Sequence, residues 1–293
     1  MAGSTVQESS YIKEDRYSMF SPMEDRMSKD NPFTSLMSVD LMCTELCNLK
    51  CAFCPRSKDY PNLNLHMDLS VVRKIAIDLA RAGYENRIIF CGFGEPLLYN
   101  HLIEAISIIK TEMPWQENVH IVTNGDRLTR NKVIELYDAG IDKVFVSMYD
   151  GEHQVDRFKK VFKGLGEDRY LLQHYYYGED EAYGFSKLSN RAGHNFDDES
   201  PNKGCNMPFY AMNIHYDGDV LLCCQDWSKK VRFGNVMKSD LKDIWLNNMA
   251  LHKFRSSLKS NRTLSPCKNC NIDGTFYGNK SKELLNDTTK VSV

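Results

Sequence analysis

Strand-like and helix-like patterns alternate through the first half of the chain, and this alternation constrains the fold more than any other feature. Short apolar runs typical of buried strands recur at roughly 30-residue spacing, and apolar residues between them repeat with the period of a helix. The expected strands are residues 36–42, 87–91, 119–122, 143–148 and 169–177, and the expected helices are 70–82, 101–110, 131–139 and 154–162. Repeated units of this kind form a parallel sheet.

The number of strand–helix units decides between a closed and an open sheet. The pattern supplies too few units for a closed eight-stranded barrel. We therefore predict an α/β fold, a partial (β/α) barrel of about five to six parallel strands, over residues 35–178. Functional residues in such folds follow the carboxyl ends of the strands.

The rest of the chain lacks this alternation. Residues 1–34 are polar and aperiodic, which predicts a flexible arm. Residues 179–274 combine a polar stretch, a hairpin signal at 216–218 and a single long helical pattern over 241–258, which together predict a small hairpin-and-helix domain. Residues 275–293 are expected to be a tail.

Charge, hydropathy and cysteine content restrict the possible partners. Lys and Arg total 37 against 39 Asp and Glu, so the net charge of −2 gives no cationic excess for nucleic acid. No apolar run reaches the roughly 18 residues of a membrane span, and the N-terminus lacks the apolar core of a secretory signal. We expect a cytoplasmic protein without a nucleic-acid or membrane partner. In that reducing compartment the ten cysteines favour metal or redox chemistry over disulfides.

The first group of cysteines closely follows the first predicted strand. Cys47, Cys51 and Cys54 have the spacing C-x3-C-x2-C. Three thiolates on one loop are suited to a four-iron cluster with one iron left open to another ligand. A zinc site would favour a fourth protein ligand.

Small and polar residues follow the next three predicted strands. They are Gly92, Gly94, Glu95, Thr123, Asn124 and Ser147. Glycine lets a backbone approach a ligand closely, and the carboxylate of Glu95 is suited to an ammonium group. Each motif is also compatible with an ordinary strand-to-helix turn, which is the preferred interpretation of Ser147 alone. Their order at successive strand ends favours a shared ligand site.

A second group of cysteines lies in the predicted small domain. Cys267 and Cys270 form a C-x2-C knuckle, Cys223 ends the hairpin, and Cys205 precedes it. Four thiolates would complete a metal site, and their spacing alone leaves zinc and an iron–sulfur cluster open. Cys224 adjoins Cys223, so either of the two fits the role of ligand.

The first cysteine group, with Phe53 before its third cysteine, resembles the C-x3-C-x-aromatic-C signature of the radical S-adenosylmethionine (SAM) superfamily. Gly92 to Glu95 resembles the family's Gly-Gly-Glu motif, with Phe93 inserted between the glycines. The resemblance implies a [4Fe–4S] cluster that binds SAM and a 5′-deoxyadenosyl radical that abstracts hydrogen. It also implies SAM contacts for Phe53, Gly92, Gly94, Glu95, Thr123, Asn124 and Ser147.

The second cysteine group resembles the C-terminal SPASM and twitch domains of the same superfamily. The twitch form holds one auxiliary [4Fe–4S] cluster, and the full SPASM form holds two. Five cysteines in this region fit the one-cluster form. The resemblance implies that Cys205, Cys223, Cys267 and Cys270 hold this cluster. Cys43 and Cys91 are left over and are expected to pack as small apolar residues.

The resemblance leads to a hypothesis about function. A radical SAM oxidoreductase would abstract a carbon-bound hydrogen from a small polar metabolite, such as an aminocyclitol, amino sugar or sugar nucleotide, and pass an electron to the auxiliary cluster. Arg191 is a candidate catalytic residue, with a solvated loop position as the alternative. An external donor such as flavodoxin or ferredoxin is expected.

Two other functions stay open at this stage. One is a radical SAM epimerase or peptide-modifying enzyme in which Cys224 donates a hydrogen atom. The other is a zinc-stabilised binding protein without enzymatic activity.

Overall fold

The computed structural model describes residues 20–175, 189–196, 200–201 and 203–288. The parts of the predicted arm before residue 20 and of the fifth strand after residue 175 lie outside the described residues. The chain divides into two compact units. The barrel unit comprises Asp40–Lys187 and His215–Gly218, and the C-terminal unit comprises Met1–Val39, Leu188–Ile214 and Asp219–Val293. Within the described ranges, no helix is both long and apolar enough to cross a bilayer.

The barrel unit contains the alternating strands and helices. Its strands run in the order β5-β4-β3-β2-β1, and β2 to β5 pair in parallel. They are β1 (Ser38–Met42), β2 (Arg87–Phe90), β3 (Val119–Thr123), β4 (Lys143–Met148) and β5 (Tyr170–His174). The helices after β1, β2, β3 and β4 are α1 (Leu69–Arg81), α2 (Leu102–Glu112), α3 (Arg130–Ala139) and α4 (His153–Phe162). This mostly parallel, unclosed arrangement confirms the predicted partial barrel.

Local chemistry sets the bounds of these helices. Asp68 caps α1 by accepting a 2.7 Å hydrogen bond from the backbone N–H of Ser70. Thr129 caps α3 in the same way with Lys132. Gly140 ends α3 with a φ of +114°, a conformation that only glycine adopts without strain.

The C-terminal unit contains the predicted hairpin. Its antiparallel strands are β6 (Ala211–His215, with its last residue in the barrel unit), β7 (Asp219–Leu221) and β8 (Arg232–Asn235). Its helices are α5 (Met207–Tyr210), α6 (Leu241–Asn247), α7 (Met249–Ser257) and α8 (Asn279–Thr288). The hairpin prediction is confirmed, because Ile214 pairs with Val220 across the turn.

The prediction of one helix over residues 241–258 is wrong. Asn248 has extended backbone angles, and its side-chain oxygen accepts a 2.9 Å bond from Leu251, so it ends α6 and caps α7. A continuous helical pattern would turn Met249 inward, but it is 80% exposed at the start of α7. Trp245, in α6, is buried and donates to the hydroxyl of Ser35.

The described parts of the expected arm, from residue 20, and of the expected tail, to residue 288, contain buried residues and regular structure. The tail contains α8, with Leu284 and Leu285 buried, and Ser281 donates a 2.8 Å bond to the carbonyl of Ser35. Phe20 and Met23, from the predicted arm, lie in a buried apolar cluster. So few apolar positions produce no detectable periodicity in the sequence, although they are enough to bury each segment.

Candidate functional site

Cys47, Cys51 and Cys54 lie in the segment between β1 and α1 of the barrel unit, where all three are partly exposed. A tight turn brings the second and third together, because Cys54 donates a 3.0 Å backbone hydrogen bond to Cys51. Burial raises the pKa of the Cys47 thiol, and the negative charges of Glu95 and Cys54 add to the rise. A bound cation would relieve this repulsion, and thiolates are the usual ligands of iron–sulfur clusters.

Side-chain amides hold the cysteine loop in place. The side chain of Asn62 accepts a 2.7 Å hydrogen bond from the backbone N–H of Cys47 and donates a 2.8 Å hydrogen bond to the carbonyl of Cys47. Asn48 donates to the Asp126 carboxylate at 2.6 Å and accepts from Asn124 at 3.1 Å. These contacts join the loop to the turn that follows β3. The sequence analysis did not identify Asn48 or Asn62.

A buried charge network lies beside the same loop. Glu45, two positions before the first cysteine, accepts from Arg56 at 2.5 Å and contacts His215 at 2.6 Å. Arg56 also donates to the carbonyls of Phe93 and Pro61. All three charged or polar side chains are less than a tenth exposed. The network therefore ties both ends of the cysteine loop to the loop after β2.

Glu95, Thr123 and Asn124, predicted from separate motifs, lie in direct contact. The Glu95 carboxylate accepts from the Thr123 hydroxyl at 2.5 Å and from the backbone N–H groups of Asn124 and Leu97 at 2.8 and 3.0 Å. Glu95 is 3% exposed. Burial raises its pKa to about 7, although these three hydrogen bonds oppose the rise. The result is an oriented carboxylate at the ends of β2 and β3.

The two glycines before Glu95 allow close backbone packing. A Cβ at Gly94 would lie 2.3 Å from the carbonyl oxygen of Thr44 and 2.7 Å from that of Leu46. Gly92 has a φ of +119°, and a Cβ there would lie 2.5 Å from the Met42 side chain. The atoms that a Cβ at either glycine would meet all belong to the protein. The close approach of the two glycines to SAM therefore stays a prediction.

An aromatic row and a cavity lie near the ends of β4 and β5. The Phe53 and Tyr149 rings are 5.3 Å apart, and Tyr149 stacks on Tyr175 at 5.5 Å. Ser147 is buried and contacts Gln173 at 3.4 Å. A cavity of about 480 Å³ is lined by residues that include Cys51, Asn124, Asp126, Tyr149 and Arg157. This cavity therefore adjoins both the cysteine loop and the turn after β3.

The second thiol group lies within the C-terminal unit. Burial raises the pKa of Cys205 to about 11 and that of Cys267 to about 12. Burial also raises the pKa of Cys223, and negative charge on Cys224, Cys267 and Cys270 adds to it. These mutual effects show that residues from three separate segments lie together. Both Cys223 and Cys224 join the group, so the choice of ligand between them stays open.

Arg191 lies against this thiol group. The backbone N–H of Ala192 donates to the Cys270 thiol, and the Arg191 guanidinium lowers the pKa of that thiol against the dominant effect of burial. Arg191 and Ala192 have φ values of 49° and 57°, a left-handed conformation that is costly for residues with a Cβ. Asn190 holds the turn by donating a 2.6 Å bond to the carbonyl of Asn269. Contact of Arg191 with a substrate stays a prediction.

Arg262 is a buried residue that the sequence analysis did not identify. It is 4% exposed and donates to the carbonyls of Cys270, Ile272 and Gly204 at 2.8, 2.6 and 3.3 Å. It opposes the burial-driven rise in the pKa of Cys205, Cys267 and Cys270. Its position near three thiols depends on tertiary structure, so no local sequence pattern could reveal it.

The remaining predicted residues have ordinary surroundings. Cys43 is fully buried, as expected for a small apolar side chain, and Cys91 is partly exposed. Asp226 and Trp227 are buried. In the described part of the chain, no three His, Cys, Asp or Glu side chains converge on one point at the distances that bind a single metal ion.

Comparisons with known proteins give matches to both units. Residues 41–171 match the model described as the radical SAM superfamily, and residues 205–271 match the SPASM iron–sulfur cluster-binding domain. An S-adenosyl-L-methionine-dependent 2-deoxy-scyllo-inosamine dehydrogenase from Niallia circulans is 29% identical over 239 residues, which is 80% of this chain and 92% of that protein.

Two further comparisons concern structure and a shorter match. The crystal structure of BtrN in complex with AdoMet and 2-DOIA superimposes with a TM-score of 0.70 and 26% identity, covering 84% of this chain and 97% of that one. A GTP 3′,8-cyclase from Chlorobaculum tepidum is 34% identical over 140 residues, 45% of this chain, but only 40% of the cyclase is matched.

Proposed function

The chain belongs to the radical SAM superfamily and carries a SPASM-type C-terminal domain, and from this premise we propose that it oxidises an alcohol of an aminocyclitol or a closely related small polar metabolite. The observation that carries the proposal is the similarity over 92% of the length of an aminocyclitol dehydrogenase. The cofactors of this class are SAM, a [4Fe–4S] cluster that binds it, and auxiliary iron–sulfur.

In this proposal Cys47, Cys51 and Cys54 hold the SAM-binding cluster. The donor set fits, because three partly exposed thiols share one loop after β1. The amide contacts of Asn62 and the Glu45–Arg56 pair fix that loop before any cluster is bound. When bound, the cluster and SAM supply the one-electron chemistry that removes a carbon-bound hydrogen from the substrate.

Glu95 is the proposed partner of the SAM ammonium group. Its carboxylate is buried and oriented by Thr123 and Asn124, so it can accept a charge-assisted hydrogen bond without reorganising. Thr123 acts by orienting Glu95. Phe53 lies in the cysteine loop, with its ring 5.3 Å from that of Tyr149, and Ser147 lies near the end of β4; both would contact the rest of SAM.

The C-terminal thiol group is the proposed ligand set of the auxiliary cluster. Cys205, Cys267 and Cys270 would bind this cluster, with Cys223 or Cys224 as the fourth ligand. Four protein thiolates leave no position for a substrate, so the role left for this site is electron transfer. Oxidation of an alcohol to a ketone removes one hydrogen atom, one proton and one electron, and this site would receive the electron.

Cys224 supports a second candidate function. It is a partly exposed thiol and accepts a 3.7 Å hydrogen bond from Gln225. If Cys223 is the cluster ligand, Cys224 is available to return a hydrogen atom to a substrate radical, which would give an epimerase or a peptide-modifying enzyme.

An external one-electron donor and a cytoplasmic location complete the proposal. A small flavodoxin or ferredoxin is suited to reduce the SAM-binding cluster, because such proteins carry single electrons at low potential. Reduced thiols in both groups fit a reducing compartment.

Anaerobic turnover tests the proposed function. Protein reconstituted with iron and sulfide is mixed with SAM, a reductant and a panel of aminocyclitols and amino sugars. We expect 5′-deoxyadenosine and a ketone from at least one aminocyclitol. Zinc retained in place of iron, or SAM cleavage that no panel member accelerates, would contradict the proposal.

A further inference from the structure

Arg262 is a buried cation with no acidic partner among the described residues. It is 4% exposed, and its described hydrogen bonds all go to neutral backbone carbonyls. Within residues 20–175, 189–196, 200–201 and 203–288, no carboxylate forms an ion pair with it. A buried charge is costly unless a group of opposite charge lies nearby. The nearby groups that would carry the opposite charge, once bound to a cluster as thiolates, are the cysteines of the C-terminal unit.

Its side-chain hydrogen bonds place Arg262 beside two of the segments that carry these thiols. It donates to the carbonyl of Cys270 itself and to that of Gly204, the residue before Cys205. The backbone is closely packed at Gly204 and Gly274. A Cβ on Gly204 would lie 2.3 Å from the carbonyl oxygen of Leu258, and one on Gly274 would lie 2.2 Å from the sulfur of Cys205. The guanidinium is thus held between two separate ligand segments.

We propose that Arg262 is the counter-charge of the auxiliary cluster, which it holds at a higher reduction potential than the thiolates alone would give. The inference rests on the second cluster of the proposed function. Four thiolates give a [4Fe–4S] cluster a net negative charge, and reduction adds one more negative charge. A fixed positive charge therefore stabilises the reduced form more than the oxidised form, which favours accepting an electron from a substrate radical.

Two residues of the same unit provide matched controls. Arg255 is equally buried and also donates to carbonyls, of Pro208 and Trp245, but its pKa is lowered by burial alone and no thiol adds to the effect. Asp226 is a buried acid of opposite charge, whose backbone N–H donates to Cys223. Burial is the largest cause of the raised pKa of the Cys267 thiol, and the negative charge of Asp226 adds to that rise.

The experiment is an anaerobic redox titration of the full chain followed by EPR, with a Cys47/Cys51/Cys54→Ala variant used to assign the auxiliary signal. Arg262→Gln should lower the equilibrium constant for reduction of the auxiliary cluster about tenfold or more, which is about 59 mV for one electron. Arg262→Lys keeps the positive charge and should stay within about threefold of the parent. Asp226→Asn should shift the constant upward, and Arg255→Gln should leave it unchanged.

Each outcome decides the proposal. An iron-loaded Arg262→Gln protein with an unchanged auxiliary potential would overturn it. If Arg262→Gln loses the cluster and Arg262→Lys keeps it, the positive charge is required for binding, and the proposal then stands if Asp226→Asn shifts the constant upward and fails if it does not. If both variants lose it, Arg262 acts only through its carbonyl contacts and the proposal fails. A parent protein without auxiliary iron would instead refute the proposed function itself.

Discussion

The hydroxyl of Thr123, at the end of β3, donates a 2.5 Å hydrogen bond to the carboxylate of Glu95, which follows β2. Two motifs that are 28 positions apart in the sequence thereby form one structure. The carboxylate also accepts two backbone hydrogen bonds, from Asn124 and Leu97. An anionic group fixed in this way, beside the cysteine loop, is prepared for a cationic ligand.

Glu95→Gln should weaken SAM binding while leaving the iron content unchanged. The substitution removes the charge from a charge-assisted hydrogen bond worth about 1.5–3 kcal/mol, so we expect roughly a tenfold or greater rise in the SAM dissociation constant. Thr123→Val is the matched control for orientation and should have a smaller effect. Equilibrium binding to reconstituted protein measures both. Equal affinity in the parent and Glu95→Gln would show that Glu95 does not bind SAM.

SAM affinity should depend on pH through Glu95. Burial raises the pKa of this carboxyl to about 7, so below that pH it is largely protonated and neutral. Affinity should therefore rise as the pH increases through about 7 and then level off. Glu95→Gln should lack this component of the pH dependence. A parent profile that matches the variant profile would remove the proposed role of the carboxylate.

Replacing Cys47, Cys51 and Cys54 together by Ala should abolish SAM cleavage and halve the iron. Two cubane clusters give about eight irons per chain, and loss of one leaves about four. The thiol groups belong to separate compact units, so the second should still bind iron. Cys43→Ala is the control, because Cys43 is fully buried and assigned to neither group. A folded triple variant without any iron would contradict a second cluster in the C-terminal unit.

Cys224→Ala should distinguish oxidation from epimerisation. If the reaction is oxidation and Cys223 is the ligand, the variant should turn over at nearly the parent rate, because no hydrogen donor is needed. The measurement combines iron content with product analysis. A variant that keeps its iron and forms 5′-deoxyadenosine, but makes no product, would favour an epimerase. Loss of about four irons would identify Cys224 as the ligand.

Arg56→Met should destabilise the barrel unit strongly. It leaves the buried Glu45 carboxylate, 3% exposed, without the arginine of its ion pair, which typically costs about 3–5 kcal/mol. The double variant Glu45→Gln/Arg56→Met should recover part of that loss, because the uncompensated charge is gone. Denaturant unfolding of the four proteins gives the coupling energy. If the losses in unfolding free energy of the two single variants simply add up in the double variant, the charges of Glu45 and Arg56 do not stabilise each other.

Short-range patterns predicted most of the barrel unit. The strand β4 matches its predicted bounds of 143–148, because alternating and helical periodicities are local properties of the sequence. Cysteine spacing is equally local for Cys47, Cys51 and Cys54 and for the pair Cys267 and Cys270. The break at Asn248 was missed, although an Asn cap between two helices is a signal that was available.

Long-range contacts were not predictable in the same way. His215 contacts Glu45 across 170 positions of the chain, and Arg262 bonds to Gly204 across 58. No sequence pattern near His215 or Arg262 predicts its partner. Each of these contacts lies within one compact unit and depends on the tertiary path of the chain, which periodicity does not encode.

The stoichiometry of one reaction tests the central claim most directly. Reconstituted protein, an accepted aminocyclitol, SAM and a reductant are incubated anaerobically, and the ketone and 5′-deoxyadenosine are quantified together. An oxidation that consumes SAM predicts one ketone for each 5′-deoxyadenosine. The contradicting result is 5′-deoxyadenosine formed with no ketone, accompanied by an inverted substrate isomer that has gained hydrogen from solvent.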